Sequence, residues 1–295
     1  MKRIQFDKRI LSIPTEIGEL NPQQIIRLVE LQNASLTIIQ FNVLNMLNIL
    51  DVKNTPWLKW YFFKNEYLIP ALDKITFGFF TWKVKTIHPD DLYLLCSSFP
   101  AFQKDDNFPL DNPIPKLKYD IFNYSYYSGP TKLFNNITFR QFRKAEEYFV
   151  KYFDKKQVAD LDLLVAWLYT NNSNNPTLSL NPNIVNIRAK RISKIAHAKK
   201  LTILYFYLAN REKIMKLYKY LYPQKRTTTP LKPRNYYQIK TDFEKSLRLL
   251  SPDITRDEQT DFQNVHDALA HLNDKCEETH KIEELYKNQR WNRPK

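Results

Sequence analysis

The densest run of side chains able to bind a metal or move a proton is His266, His271, Cys276 and His280. On a helix turning about 100° per residue, His266, Cys276 and His280 fall within about 80° of one another, yet positions 266 and 276 lie about 15 Å apart along the axis. One ion cannot span that distance. Only Cys276 and His280, at i and i+4, are close enough to share one, and they would need ligands from elsewhere. Cys276 also continues an apolar seam, which a small buried thiol fits well. His266-Asp267 has the form of the His-Asp dyad of metal-dependent phosphohydrolases. That chemistry needs an upstream His and a downstream Asp as well, and a dipeptide alone carries little.

Other chemistries are excluded by composition. The chain has three glycines, Gly18, Gly78 and Gly129, far apart in sequence. No Walker-type loop, dinucleotide fingerprint or G-x-S-x-G elbow can be built from them, and a hairpin-rich barrel is disfavoured because its primed turns want glycine. Cys96, near His88, follows Leu94 and Leu95 and lacks the flanking signature of a thiol nucleophile. The adjacent acids Glu146-Glu147, Glu277-Glu278 and Glu283-Glu284 are expected on helix surfaces, where neighbours point about 100° apart and form no catalytic pair. No catalytic residue, metal site or cofactor is expected, and a binding or assembly component is favoured over an enzyme.

The charge is regional. Between Arg188 and Lys240 there are 15 Lys and Arg and one acid, Glu212, so this segment alone matches the net +14 of the whole chain. Arg188, Lys190, Arg191, Lys194, Lys199, Lys200, Arg211, Lys213 and Lys216 form the candidate surface for an anionic partner. Nucleic acid is one partner class, through phosphate neutralisation; an acidic protein surface is another. An anionic membrane fits less well, because the neighbouring apolar residues look like core. A solvated helix face that only keeps the protein soluble explains the same charges. On the nucleic-acid reading, replacing Lys199 and Lys200 by glutamate should abolish binding. The aromatic runs Trp57–Phe63 and Tyr119–Tyr127 are read as core or interface rather than base-stacking platforms.

Helices must position these groups. Asn21 caps a first helix with Pro22 at its first position and Gln24 at its third, and Ile25, Leu28 and Val29 form its apolar face. A second helix spans roughly 36–50. The stretch 57–75 reads as helical, and 81–87 as a strand pairing with an N-terminal ribbon in which Ile4, Phe6, Ile10 and Leu11 flank Asp7-Lys8-Arg9. Five prolines between 99 and 130 predict a long loop or extended arm. Thr138 and Gln141 form a capping box, with Ile137 and Phe142 as hydrophobic staple. Leu161, Leu164, Val165 and Leu168 mark the second helix of a hairpin. Further helices are expected over 185–208 and 211–221, and a Pro/Thr linker over 223–236. A C-terminal pair follows: a helix near 237–250 and a long one opening at Thr255, with Glu258 completing a box. Phe262, Val265, Leu269 and Leu272 form its packing seam.

Several stretches resemble proteins from phages and prophages of Bacteroidetes that are associated with tail or virion genes. The matching residues are Ile13-Pro14-Thr15 with Glu19-Leu20-Asn21-Pro22-Gln23, the run Tyr127–Phe153, the run Leu161–Thr170, and Tyr222-Pro223 at a helix end. The basic segment and the Pro/Thr linker are not part of that pattern. The resemblance implies a phage-type structural or assembly role, as a tail or virion component or a tail assembly chaperone, and carries over no catalytic residue.

The expected fold is mainly α: a multi-helix body with a small N-terminal β element and a C-terminal helical pair after the linker. The expected regions are 1–130, with the proline-rich arm, 131–222, the linker 223–236, and 237–295. Met1–Ile10 lacks the apolar core of a signal peptide, and the densest apolar run, Leu201–Ala209, is about half a membrane span. The expected setting is the host cytoplasm or the virion. Expected partners are other phage proteins or a second copy, with nucleic acid as the alternative and no membrane or small-molecule substrate.

Overall fold

The computed structural model describes residues 2–6, 9–51, 74–77, 80–83, 99, 102, 108–119, 125–171, 179–222 and 257–291. Among these residues the protein is mainly helical, with eight α-helices and three two-stranded antiparallel sheets. The chain divides into two compact units, Met1–Pro109 and Leu110–Lys295. The division falls inside the proline-rich stretch, not at residue 130, and the C-terminal helices share a unit with the central ones.

In the first unit, β1 (Lys2–Phe6) and β2 (Arg9–Ile13) form the expected ribbon, with Phe6 opposite Arg9. Helix α1 (Pro22–Asn33) starts at the predicted capping box: Gln24 N donates to Asn21 Oδ1 at 3.0 Å, and Asn21 N donates to Gln24 Oε1 at 2.8 Å. The Gln24 amide also donates to the Asn48 and Ile49 carbonyls, at 3.0 and 3.1 Å, at the C-terminal end of α2 (Ile38–Ile49). One side chain thus serves a helix start and a helix end, both rich in unpaired backbone groups.

Two expectations fail in this unit. Lys74–Phe77 is a strand (β3), not the end of a helix, and Phe80–Lys83 (β4) pairs with it rather than with the N-terminal ribbon. Ile75 lies opposite Trp82 and Thr76 opposite Thr81. These β-branched and aromatic residues favour strands, and a local hairpin closes a far shorter loop than pairing with the N-terminus would. Trp57–Phe63, His88 and Cys96 lie outside the described residues.

The second unit opens with a hairpin where an arm was expected. β5 (Lys116–Lys118) pairs with β6 (Tyr126–Ser128), setting Leu117 opposite Tyr127, and both are buried. The arm lies down because its polar groups find partners. Tyr169 Oη donates to the Ile114 carbonyl at 2.6 Å, and Ser128 exchanges backbone hydrogen bonds with Thr170 at 2.8 and 3.0 Å. Gly129 is required by this close approach, since a Cβ there would lie 2.5 Å from the Tyr169 ring.

Helix α3 (Phe139–Lys155) starts at the predicted Thr138–Gln141 box, and the staple residues Ile137 and Phe142 are buried. Helix α4 (Val158–Leu168) follows antiparallel, as a hairpin, with Leu161, Leu164, Val165 and Leu168 all in the core. The next break is displaced from expectation: α5 covers Pro182–Ile192 and α6 covers His197–Leu217. Asn210, a plausible breaker, sits inside α6 because its amide donates to the Phe206 and Leu110 carbonyls and its oxygen accepts from Leu133 N.

The C-terminal pair is α7 (Asp257–Asp261) and α8 (Val265–Trp291). The long helix expected from Thr255 is interrupted at 262–264, where Val265 N donates to the Ile137 carbonyl and Phe139 N donates to the Gln263 carbonyl. This bridge docks the pair on the start of α3. The linker 223–236, the helix near 237–250 and Thr255 lie outside the described residues.

Replacing Gly129 by alanine drives a methyl into the Tyr169 ring, and overpacking of this kind costs about 1–3 kcal/mol. Urea denaturation of G129A should show a loss in that range; an unchanged midpoint would mean the hairpin is not held by this contact.

Candidate anionic-partner surface and helix seam

The nine cations predicted to form one surface divide into two sets. Three lie inside. Arg188, 2% exposed, donates to the Ala166 and Ser179 carbonyls, both at 2.7 Å, and lies 5.5 Å over the Tyr127 ring. Ala166 is in the last turn of α4, so Arg188 serves a carbonyl the helix cannot satisfy, at the end of the dipole that favours a cation. Burial pulls the guanidinium below its ordinary range. Lys200, 3% exposed, pairs with Asp162 in the middle of α4 at 2.7 Å. Lys199 and Lys200 therefore cannot serve as one probe: glutamate at 200 would meet Asp162 inside the core.

Arg211 is the third. Its Nε donates to Glu146 Oε1 at 2.5 Å, and the Tyr207 hydroxyl donates to the same oxygen at 2.5 Å. Burial opposes the charge on Arg211, but Glu146 more than offsets it and holds the guanidinium above its ordinary range. Burial, together with Glu146, pushes the Tyr207 phenol well above the usual tyrosine value. The Glu146-Glu147 pair, expected on a surface, is buried. Lys144 and Lys151 bind Glu147 at 2.7 and 3.4 Å. A buried carboxylate needs such partners, and those of Glu146 lie on α6.

The other set faces outward. Lys190, Arg191, Lys194, Lys199, Lys213 and Lys216 are exposed, Lys216 pairing with Glu212 one turn away. Arg191 lies 5.1 Å over the Tyr119 ring, which stacks on Tyr127 at 4.1 Å. On the outer side of the hairpin, Lys116 sits 4.7 Å over the exposed ring of Tyr126, with Lys118 opposite Tyr126 in register. These hairpin lysines are absent from the predicted set. Their signal was the alternation Lys116-Leu117-Lys118, hidden by the surrounding prolines.

The predicted seam divides as well. Val265, Leu269 and Leu272 are buried together with Ala268 and pack toward α3, whereas Phe262 lies in the break before α8, half-buried, with Arg140 5.5 Å from its ring. Beyond Cys276, the Tyr220 ring lies 6.2 Å from that of His280, and Ile282 and Leu285 are 52% and 62% exposed. His266 holds a backbone in place: its Nε2 lies 2.6 Å from the Leu133 carbonyl, and its Nδ1 2.8 Å from the Tyr218 hydroxyl. Leu133 and Phe134 both have positive φ, a costly conformation for such residues, and the contacts from His266 and Asn210 hold that turn. His271 and His280 are exposed on α8. Among the described residues, no three His, Cys, Asp or Glu side chains converge as a metal site, and no helix is long and apolar enough to cross a membrane.

No family model, curated protein or solved structure matches this chain. The reading of the site therefore rests on its own geometry.

The Tyr169 and Tyr207 phenols, both fully buried, have values raised above the usual tyrosine range by burial. Their folded-state values exceed the unfolded one of about 10, so this stability is complete below about pH 10 and drains as pH rises through the folded values, by about 1.4 kcal/mol per pH unit for each tyrosine. Urea unfolding between pH 9 and 11 should fall steeply for the wild type and less steeply, by one such increment, for Tyr207→Phe. Identical slopes would place the Tyr207 proton outside this linkage.

Proposed function

We propose that this protein is a non-enzymatic structural or assembly component of a phage-type particle, a tail or virion protein or a tail assembly chaperone. It works through protein–protein contacts in the host cytoplasm or the virion. The observation that carries this reading is the outer half of α8, which presents Ile282 and Leu285 to solvent. Large apolar residues exposed at helical spacing are the kind of anchor a protein interface uses. The stretches that resemble phage and prophage proteins, Tyr127–Phe153 and Leu161–Thr170, coincide with the α3–α4 hairpin, so what they share is scaffold, and the exposed faces are where partners engage.

A second reading rests on a different observation. The outer hairpin face, with Lys116 over Tyr126 and Lys118 beside it, combines cations with an exposed ring, a pairing suited to a single-stranded nucleic acid.

Fluorescence anisotropy of random-sequence DNA and RNA at about 50 and 200 mM salt separates the two. The assembly reading predicts no tight binding at either salt. It also predicts that Ile282→Asp with Leu285→Asp abolishes stoichiometric association with a defined particle protein, or with itself, while the fold stays intact. Tight binding that collapses with salt and is lost in Lys116→Glu with Lys118→Glu would overturn the assembly reading and establish the second.

A further inference from the structure

Two outward helix faces of the second unit match each other in an opposed direction. On α5 and the turn after it, Ile184, Ile187, Arg191 and Lys194 follow one another at intervals of three, four and three residues, all exposed. The buried side of the same helix is taken by Val185, Arg188, Ala189 and Ile192. On α8, reading backwards, Leu285, Ile282, Glu278 and Asp274 follow at intervals of three, four and four, again all exposed. At about 100° per residue, Ile282 and Leu285 lie about 100° and 160° round the helix from Val265, the start of the buried stripe. At about 1.5 Å per residue the two faces run about 15 and 16 Å.

Laid antiparallel, the faces bring like chemistry together. Ile184 meets Leu285 and Ile187 meets Ile282, so the apolar ends bury each other. Arg191 meets Glu278 and Lys194 meets Asp274, so cations oppose carboxylates. A parallel arrangement would set each apolar pair against charge. The wider surroundings carry the same signs: Lys190 stands beside the first face, and Glu277–Leu285 holds four glutamates and one lysine. On the tip, Lys281 pairs with Glu277 at 2.9 Å and His280 lies 3.6 Å from Glu284, and the stripe of Asp274, Glu278, Ile282 and Leu285 has its chemical complement in the basic, apolar face of α5.

We propose that the occupant of the α8 tip is the α5 face of a second copy of this chain, docked antiparallel. The proposal rests on the assembly reading above and deepens it by naming the partner. The two surfaces differ, so the contact either closes reciprocally as a two-fold dimer or runs head to tail as a heterologous one. Its charged rim makes it salt-sensitive, and its isoleucine and leucine contacts give it a residual apolar component.

Sedimentation velocity of the full chain across about 1–100 μM, in about 50 and 500 mM salt, is the test. Lys194→Glu, and separately Asp274→Lys, should each weaken self-association by at least about fivefold. Arg191 is left in place because it also holds Tyr119. Combining the two exchanges the signs of the Lys194–Asp274 pair and should return the association to within about twofold of wild type. Circular dichroism confirms that each variant folds. Restoration by the combined variant supports the proposal. A wild type that stays monomeric throughout overturns it, as does a combined variant no better than either parent. Association that is lost with Ile282→Asp and Leu285→Asp but indifferent to the α5 reversal overturns this pairing and leaves the assembly reading standing, since α8 would then dock elsewhere.

Discussion

The second unit is organised around the cost of burying α4. Nearly every residue from Leu161 to Leu168 is inside, and a helix enclosed in this way leaves its last carbonyls and its one buried carboxylate without water. Each needs a protein partner, since an unsatisfied buried polar group costs about 1–3 kcal/mol and an unpaired charge more. Three elements supply them. Gln141, from the capping box of α3, donates to the Trp167 carbonyl at 3.1 Å. Arg188 of α5 donates to that of Ala166, and Lys200 of α6 pairs with Asp162. The positions of α3, α5 and α6 follow from these obligations together with the apolar packing between them.

That requirement also sorts the basic segment. A chain carrying its whole net charge between residues 188 and 240 invites the reading of one electropositive surface, but cations at the apolar spacing of α5 and α6 are committed to the interior. Among the described residues, those that remain outside form a smaller and more structured set. Lys190, Arg191 and Lys194 border the exposed isoleucines of α5, and Lys116 and Lys118 border Tyr126 on the hairpin. Mixed apolar and basic faces of this kind suit a protein partner with complementary acids better than a uniform phosphate track does, and the α8 tip carries such acids.

Local signals were legible wherever one residue type has one job. The Asn21–Gln24 and Thr138–Gln141 boxes, the staple at Ile137 and Phe142, and the core positions of α4 all read directly from spacing. Arg188 and Lys200 were legible in principle: Arg188 shares the stripe of Val185, Ala189 and Ile192, and Lys200 that of Ile203, Tyr207 and Ile214. A count of charges along the segment does not resolve which helix face carries each, and so it places these two on the surface. The β5–β6 hairpin and the break before α8 were not legible. Both depend on distant partners, Thr170 and Tyr169 for the first and Ile137 for the second, and no periodicity encodes a contact across forty or more residues. The second-unit break at 193–196 belongs to the same class, because Asn210 continues α6 only by bonding Leu133 and Leu110.

The division between inner and outer cations is the central claim, and urea unfolding of a methionine series tests it directly. Methionine keeps the length of the side chain and removes the charge. Arg188→Met and Lys200→Met should each cost about 3 kcal/mol or more, because each strands buried oxygens, whereas Lys190→Met and Lys194→Met should fall within about 0.5 kcal/mol of wild type. Equal, small losses across all four would contradict the account, since α4 would then stand without the partners that its burial demands.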